Sequence, residues 1–157
     1  MPIRSIEQVL SEIKTFEGLE QRHLDRIAGC GQNCGFAPGE QIAREGDPAD
    51  TFYVIRHGRV ALETPAPAGG PLLVTTLGDG TVVGWSWLFP PYRWSFDARA
   101  VEDTRAIAFD GACLRGKCGD DHELGYVLMQ RFASIILDRL QATRLQLLDV
   151  YGNPAAG

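Results

Sequence analysis

The chain has 157 residues, 45% of them hydrophobic and 22% charged, with a formal net charge of −5. That is enough apolar material for one globular domain with an appended helix, and the acidic balance argues against a general nucleic-acid binder, which relies on a basic face. The N-terminus lacks the apolar core of a signal peptide and no run approaches the roughly 18 apolar residues of a membrane span, so the expectation is a cytoplasmic protein with no membrane and no DNA partner.

Residues 5–29 read as helical. Ser5 precedes Ile6, Val9, Leu10 and Ile13, whose spacing of three and four lines one face. After the Glu17-Gly18-Leu19 turn, Leu19, Leu24 and Ile27 continue a second short helix that Gly29 ends. From Cys34 to Asp110 short apolar runs alternate with turn pairs such as Pro38-Gly39, Gly46-Asp47-Pro48, His57-Gly58 and Gly78-Asp79-Gly80. Turns every roughly 8–12 residues predict an antiparallel β-sandwich or jelly roll. The segment "TFYVIRHGRVALE" is the clearest hairpin, and residues 65–70 read as a tip of small residues free to move.

The spacing of Leu124, Leu128, Phe132, Ile135, Ile136, Leu140 and Leu147 predicts a long helix over 121–150, with Asp120 or Asp121 as its N-cap. A second stripe, Leu137, Leu140, Arg144, Leu147 and Tyr151, alternates three and four and reads as the seam of a homodimer or a docking helix. The other reading is that these residues cover the domain's own sandwich. The expected organisation is N-terminal helices over 1–31, a mainly β jelly roll over 32–110 and a C-terminal helix over 119–151.

All three tryptophans lie in "VVGWSWLFPPYRWSFDARA", residues 82–100. The residues that place this stretch are in "FAPGEQIAREGDPADTFYVIRHGRVAL": Phe36, Pro38, Gly39, Glu45, Gly46, Asp47, Ala49, Tyr53, Ile55, Gly58 and Val60. With Gly80 and Gly84, they make the chain resemble the cyclic-nucleotide-binding domain of the catabolite-activator and fumarate–nitrate-regulator superfamily, over about residues 16–150. The resemblance implies a phosphate-binding cassette entered through Gly-Glu, in which a Glu takes the ribose hydroxyl and an Arg the cyclic phosphate. Here Trp85 stands in the Glu place and Trp94 in the Arg place. Arg93 is one residue off and points to the other face of an extended strand. Pro90 and Pro91 supply no N–H groups to the loop tip.

The usual cyclic-nucleotide chemistry is therefore not expected. Three readings stay open: the tryptophans fill the old site as core, they line a pocket for a stacked nucleotide or NAD(P), or they face another protein. The candidate pocket comprises Gly84, Trp85, Ser86, Trp87, Leu88, Arg93, Trp94, Ser95 and Arg99, with Thr143 from the long helix. A narrower resemblance rests on the tryptophan stretch, "LRGKC" and "RLQATRLQLLDVYG". These segments are similar to stand-alone members that occur as accessory subunits of soluble NAD(P)-linked nickel–iron hydrogenases, which implies a non-catalytic regulatory or docking subunit. The alternatives are a cAMP or cGMP receptor and a thiol- or metal-based redox sensor.

In a cytoplasmic chain Cys30, Cys34, Cys113 and Cys118 are expected as thiols or ligands rather than disulfides. They flank the first and last strands, which are antiparallel neighbours in this fold, so four thiolates could gather for Zn²⁺ or an iron–sulfur cluster. Neither spacing is the two-residue loop of structural zinc sites, and the preferred reading is four partly buried residues without metal. Lys117 beside Cys118 could lower that thiol's pKa. His23, His57 and His122 share no ligand spacing, and no catalytic arrangement emerges.

Overall fold

The computed structural model describes residues 5–66 and 69–152, with the side chains at 146 and 149–152 outside that description. Residues 67 and 68 of the expected hairpin tip, and the Tyr151 side chain of the expected seam, therefore lie outside the described residues. The strands are β1 (Gly31–Phe36), β2 (Gln41–Ala43), β3 (Thr51–His57), β4 (Val60–Thr64), β5 (Leu72–Leu77), β6 (Val82–Val83), β7 (Asp97–Ala100) and β8 (Thr104–Asp110). They form two antiparallel four-stranded sheets, β1-β8-β3-β6 and β2-β7-β4-β5.

The period-two alternation of β3 divides the molecule. Tyr53 and Ile55 face the second sheet and build the sandwich core with Val60, Leu62, Val83, Trp94 and Ala98. Phe52 and Val54 face the helices and build a second core with Ile107, Phe109 and Trp87. One sheet is thus covered on both faces.

The N-terminal segment supplies α1 (Ile6–Ser11), a 3₁₀ turn (Lys14–Phe16) and α2 (Gln21–Ala28). Ser5 caps α1: its hydroxyl accepts from Gln8 N at 3.3 Å, and the Gln8 side chain accepts from Ser5 N at 2.9 Å. Val9, Leu10, Ile13, Phe16, Leu24 and Ile27 are buried against the first sheet. Glycine ends the segment at Gly29.

A ten-residue helix, α3 (Gly111–Asp120), precedes α4 (His122–Gly152), which has 31 residues. The α3 sequence opens on Gly111, carries two interior glycines and has one large apolar residue, Leu114, so nothing in it marks a helix. Tertiary contacts hold it instead. Asp110 caps it, accepting from Cys113 N at 3.0 Å, and Lys117 donates to the Arg26 carbonyl at 2.7 Å. Asp121 caps α4, accepting from Leu124 N at 3.2 Å.

Along α4, Leu124, Leu128, Phe132 and Ile135 bury one face in the helical core. Arg131 clamps the N-terminal segment, donating to the carbonyls of Thr15 and Glu17 at 3.0 and 2.7 Å. Arg139 and Ala142 still lie against the domain, whereas Leu137, Leu140 and Leu147 of the expected seam are 61%, 62% and 55% exposed. They do not cover the chain's own sandwich. Among the described residues no helix is long and apolar enough to cross a membrane.

Cys30 and Cys113 form a disulfide with their Cα atoms 5.9 Å apart. This corrects the expectation of four thiols. The antiparallel β1–β8 register sets Gly31 against Phe109, which brings the residue before β1 to the first turn of α3. Cys34, opposite Ala106 in mid-strand, stays free, as does Cys118 on α3.

Candidate ligand-binding cassette

β6 delivers the chain to Gly84 between the two cores, since Val82 enters the helical core and Val83 the sandwich core. Gly84 has φ 100°, a conformation that favours glycine. A Cβ there would also lie 2.6 Å from Cη2 of Trp94. A 3₁₀ turn, Ser86–Leu88, follows. The chain then rounds Phe89–Tyr92 and returns beside the 46–49 turn, with Trp94 N donating to the Asp47 carbonyl at 2.9 Å and Ala49 N to the Tyr92 carbonyl at 2.7 Å. Arg115 of α3 braces this loop from outside, donating to the Trp87 carbonyl and lying 4.2 Å over the Tyr92 ring.

The three tryptophans occupy three environments. Trp94, expected in the place of the phosphate-binding Arg, is 8% exposed in the sandwich core, its ring stacked at 6.4 Å from Tyr53. Trp85, expected in the Glu place, is half-buried and meets Phe96 edge-on at 5.6 Å. Trp87 is fully buried on the helical side, stacked on Phe52 at 4.9 Å and edge-on to Phe132 at 5.2 Å. Its Nε1 has no hydrogen-bond partner.

The inner cleft is lined by Leu62, Gly84, Trp85, Ser86, Trp94 and Ser95, together with Phe96, and has a volume of about 10 Å³, the room of one water. Its polar groups are Ser86 Oγ and Ser95 Oγ, hydrogen-bonded to each other at 3.1 Å. None of the lining side chains is charged. A second, open cleft of about 270 Å³ lies on the outer side of the cassette, between Trp85, Phe89, Pro90, Arg93 and Ser95 on one side and Ile136 of α4 on the other. Arg93 is partly occupied there, donating to the Gly46 carbonyl at 2.9 Å.

Four expected pocket residues stand elsewhere. Trp87 and Leu88 belong to the helical core. Arg99 lies between the inward-facing Ala98 and Ala100, so its side chain leaves the opposite face of β7. There it pairs with Glu63, Nε to Oε1 at 3.0 Å and Nη2 to Oε2 at 3.2 Å, and that carboxylate raises the guanidinium's pKa further. Thr143 is exposed and donates to its own helix, to the Arg139 carbonyl at 2.9 Å.

The residue from α4 that does reach the cassette is Arg139, one turn earlier. Its Nη2 donates to the Val82 carbonyl at 3.3 Å, its Nε is buried without a partner, and burial lowers its pKa. The seven-residue seam that organises the distal leucines leaves Arg139 out, and only a count of turns back from Thr143 points to it.

The cysteines form no common site. With Cys30 and Cys113 joined, Cys34 and Cys118 remain, and burial pushes both thiols up. The Cys118 thiol is raised, not lowered as expected from Lys117: burial and then Asp121 push it up, Arg26 opposes them, and the Lys117 ammonium donates to the Arg26 carbonyl.

The family model for the cyclic nucleotide-binding domain matches residues 34–121. The CRP-like cAMP-activated global transcriptional regulator of Mycobacterium tuberculosis H37Rv is 26% identical over 145 residues, covering 92% of this chain. The match spans 63% of that relative's length. A candidate cyclic nucleotide-binding protein of Geobacter metallireducens GS-15 is 29% identical with a TM-score of 0.77, over 88% of this chain and 99% of that one. A cyclic nucleotide-binding domain of Methylobacillus flagellatus KT has the same TM-score at 19% identity, over 92% of this chain and 82% of that one.

Proposed function

The chain belongs to the cyclic nucleotide-binding domain family, and from that premise we propose that it is a non-catalytic regulatory module with a rebuilt nucleotide pocket. One observation carries this reading: the Trp94 indole lies against Gly84 where the phosphate-binding Arg belongs, and the inner cleft keeps room for one water. A cyclic phosphate placed there would meet two serine hydroxyls and no cation, and burying an uncompensated anion costs several kcal/mol or more.

The outer cleft supports a different ligand. Trp85 and Phe89 offer aromatic faces and Arg93 a cation, which suits a stacked nucleotide, with NAD(P) the leading candidate. The resemblance of the tryptophan stretch, "LRGKC" and the distal α4 sequence to hydrogenase accessory subunits favours a place in a soluble NAD(P)-linked redox complex. The exposed stripe on α4 favours assembly, as a homodimer or by docking to that complex.

A second reading, a cAMP receptor that opens the inner cleft, is favoured by the M. tuberculosis relative, whose name records activation by cAMP. Titration calorimetry with cAMP, cGMP, NAD⁺, NADH and NADPH separates the two. The expected result is micromolar binding of a pyridine nucleotide, lost in Trp85→Ala and Arg93→Ala, with no heat from cAMP or cGMP. Micromolar cAMP binding would overturn the rebuilt pocket and support the receptor. Silence from all five would remove the ligand and leave docking alone.

A further inference from the structure

We propose that Glu20, His23 and Glu123 form a binding site for a borderline divalent cation of the Zn²⁺ class, joining α2 to the first turn of α4. Each residue offers a ligand atom, and these atoms all lie within 4.8 Å of one another. His23 makes the cluster more than a patch of surface acid. Its residue is 2% exposed, yet its buried Nε2 has no hydrogen-bond partner. The atom opposite, Glu123 Oε1, is 3.8 Å away, beyond hydrogen-bond reach. A buried, unpartnered ring nitrogen facing two carboxylates is a donor set that a cation can complete.

The donor set chooses the cation. Mg²⁺ and Ca²⁺ prefer oxygen-only shells, whereas one imidazole with two carboxylates suits zinc. Ligand atoms of a tetrahedral zinc site lie about 3.3 Å apart, so the cluster must tighten. It can, because both glutamate side chains are mostly exposed, at 63% and 57%. Arg22 already draws them together through their Oε2 atoms, with Nε 3.1 Å from Glu20 and Nη2 2.8 Å from Glu123.

The charge balance also admits a dication. Glu20, Asp121 and Glu123 face two guanidiniums, Arg22 and Arg26, which leaves the group net negative. Three protein ligands leave a coordination position for water on the exposed side. The bound ion would fix the start of α4, the helix that carries Ile136 and Arg139 to the cassette.

The test uses the full chain stripped with chelator and titrated with Zn²⁺, by calorimetry and thermal denaturation. One Zn²⁺ per chain is expected, with a raised melting temperature and with affinity at least about 100-fold weaker in Glu123→Gln and in Glu20→Gln. Both positions are exposed, so neither variant should fail to fold. His23→Gln should abolish binding. The Cys34→Ser/Cys118→Ser double variant should bind as the parent does, and Co²⁺ should give the spectrum of a nitrogen–oxygen site without thiolate charge-transfer bands. No bound Zn²⁺, binding indifferent to both glutamate variants, or binding lost with the thiols would each overturn the site.

Discussion

Gly84 and Trp94 are a matched pair. The glycine leaves the space that the indole fills, and the indole closes what would otherwise be an opening into the sandwich core. Trp94→Ala should therefore create a large cavity and lower stability by about 3–5 kcal/mol, read by urea denaturation. It should also widen the inner cleft. A loss below about 1 kcal/mol would mean that the indole is not a core residue. The expectation that Trp94 replaces the family Arg comes from aligning Arg99-Ala100 with the family pattern, as aligning Gly84 puts Trp85 in the Glu place. Its burial is not legible, since the same residue type could face a ligand or a partner. The outward course of Arg99 corrects the expectation of a pocket residue, and it follows from strand alternation once the alanines on either side are known to face inward. Its partner Glu63 is not legible, because a pairing across 36 positions depends on how β4 and β7 register. The approach of Cys30 to Cys113, 83 positions apart, is legible from the antiparallel first and last strands, but not their bond, because a cytoplasmic chain is expected to keep its thiols.

Among the elements, the strands and the long helix are the most legible, because period-two alternation, glycine turns and a 3–4 apolar stripe each have a direct geometric meaning. The short helix α3 has none of these marks. It exists because Asp110 caps it, Leu114 enters the core, and Gly111 lets Trp87 Cβ and the Asp50 carbonyl approach to 2.9 and 3.0 Å of where a Cβ would stand. The distal half of α4 is the converse, an element whose pattern is plain but whose partner is not in view. A helix that leaves Leu137, Leu140 and Leu147 in water should associate. We expect Leu140→Glu combined with Leu147→Glu to lower the mass seen by sedimentation equilibrium, with little change in the melting of the domain. An unchanged mass would show that the stripe holds no second copy.

At the scale of the whole molecule, the N-terminal helices and α4 act as one clasp over the first sheet. Arg131 holds the 15–17 turn, and Arg22 and Arg26 gather around the Asp121 cap. The backbone hydrogen bond from Leu124 and these guanidiniums hold the Asp121 carboxyl below its ordinary value. A carboxyl with a depressed folded-state pKa contributes stability that is present above its unfolded value, near 3.9, and lost as pH falls through the folded one. Thermal melting should accordingly weaken below about pH 4. Asp121→Asn, which can still cap but carries no charge, should melt below the parent at neutral pH, approach it in acid and show a shallower acid limb. An identical acid limb in the variant would remove Asp121 from that balance.

The separation of the three indoles has an optical consequence. Trp87 and Trp94 are sealed in two different cores, whereas Trp85 is half-buried on the rim of the outer cleft. Light emitted by the first two reports the integrity of each core, and light emitted by the third responds to whatever covers the cleft. The chain thus carries three built-in fluorophores, with occupancy of the cassette and melting of either core recorded by different ones.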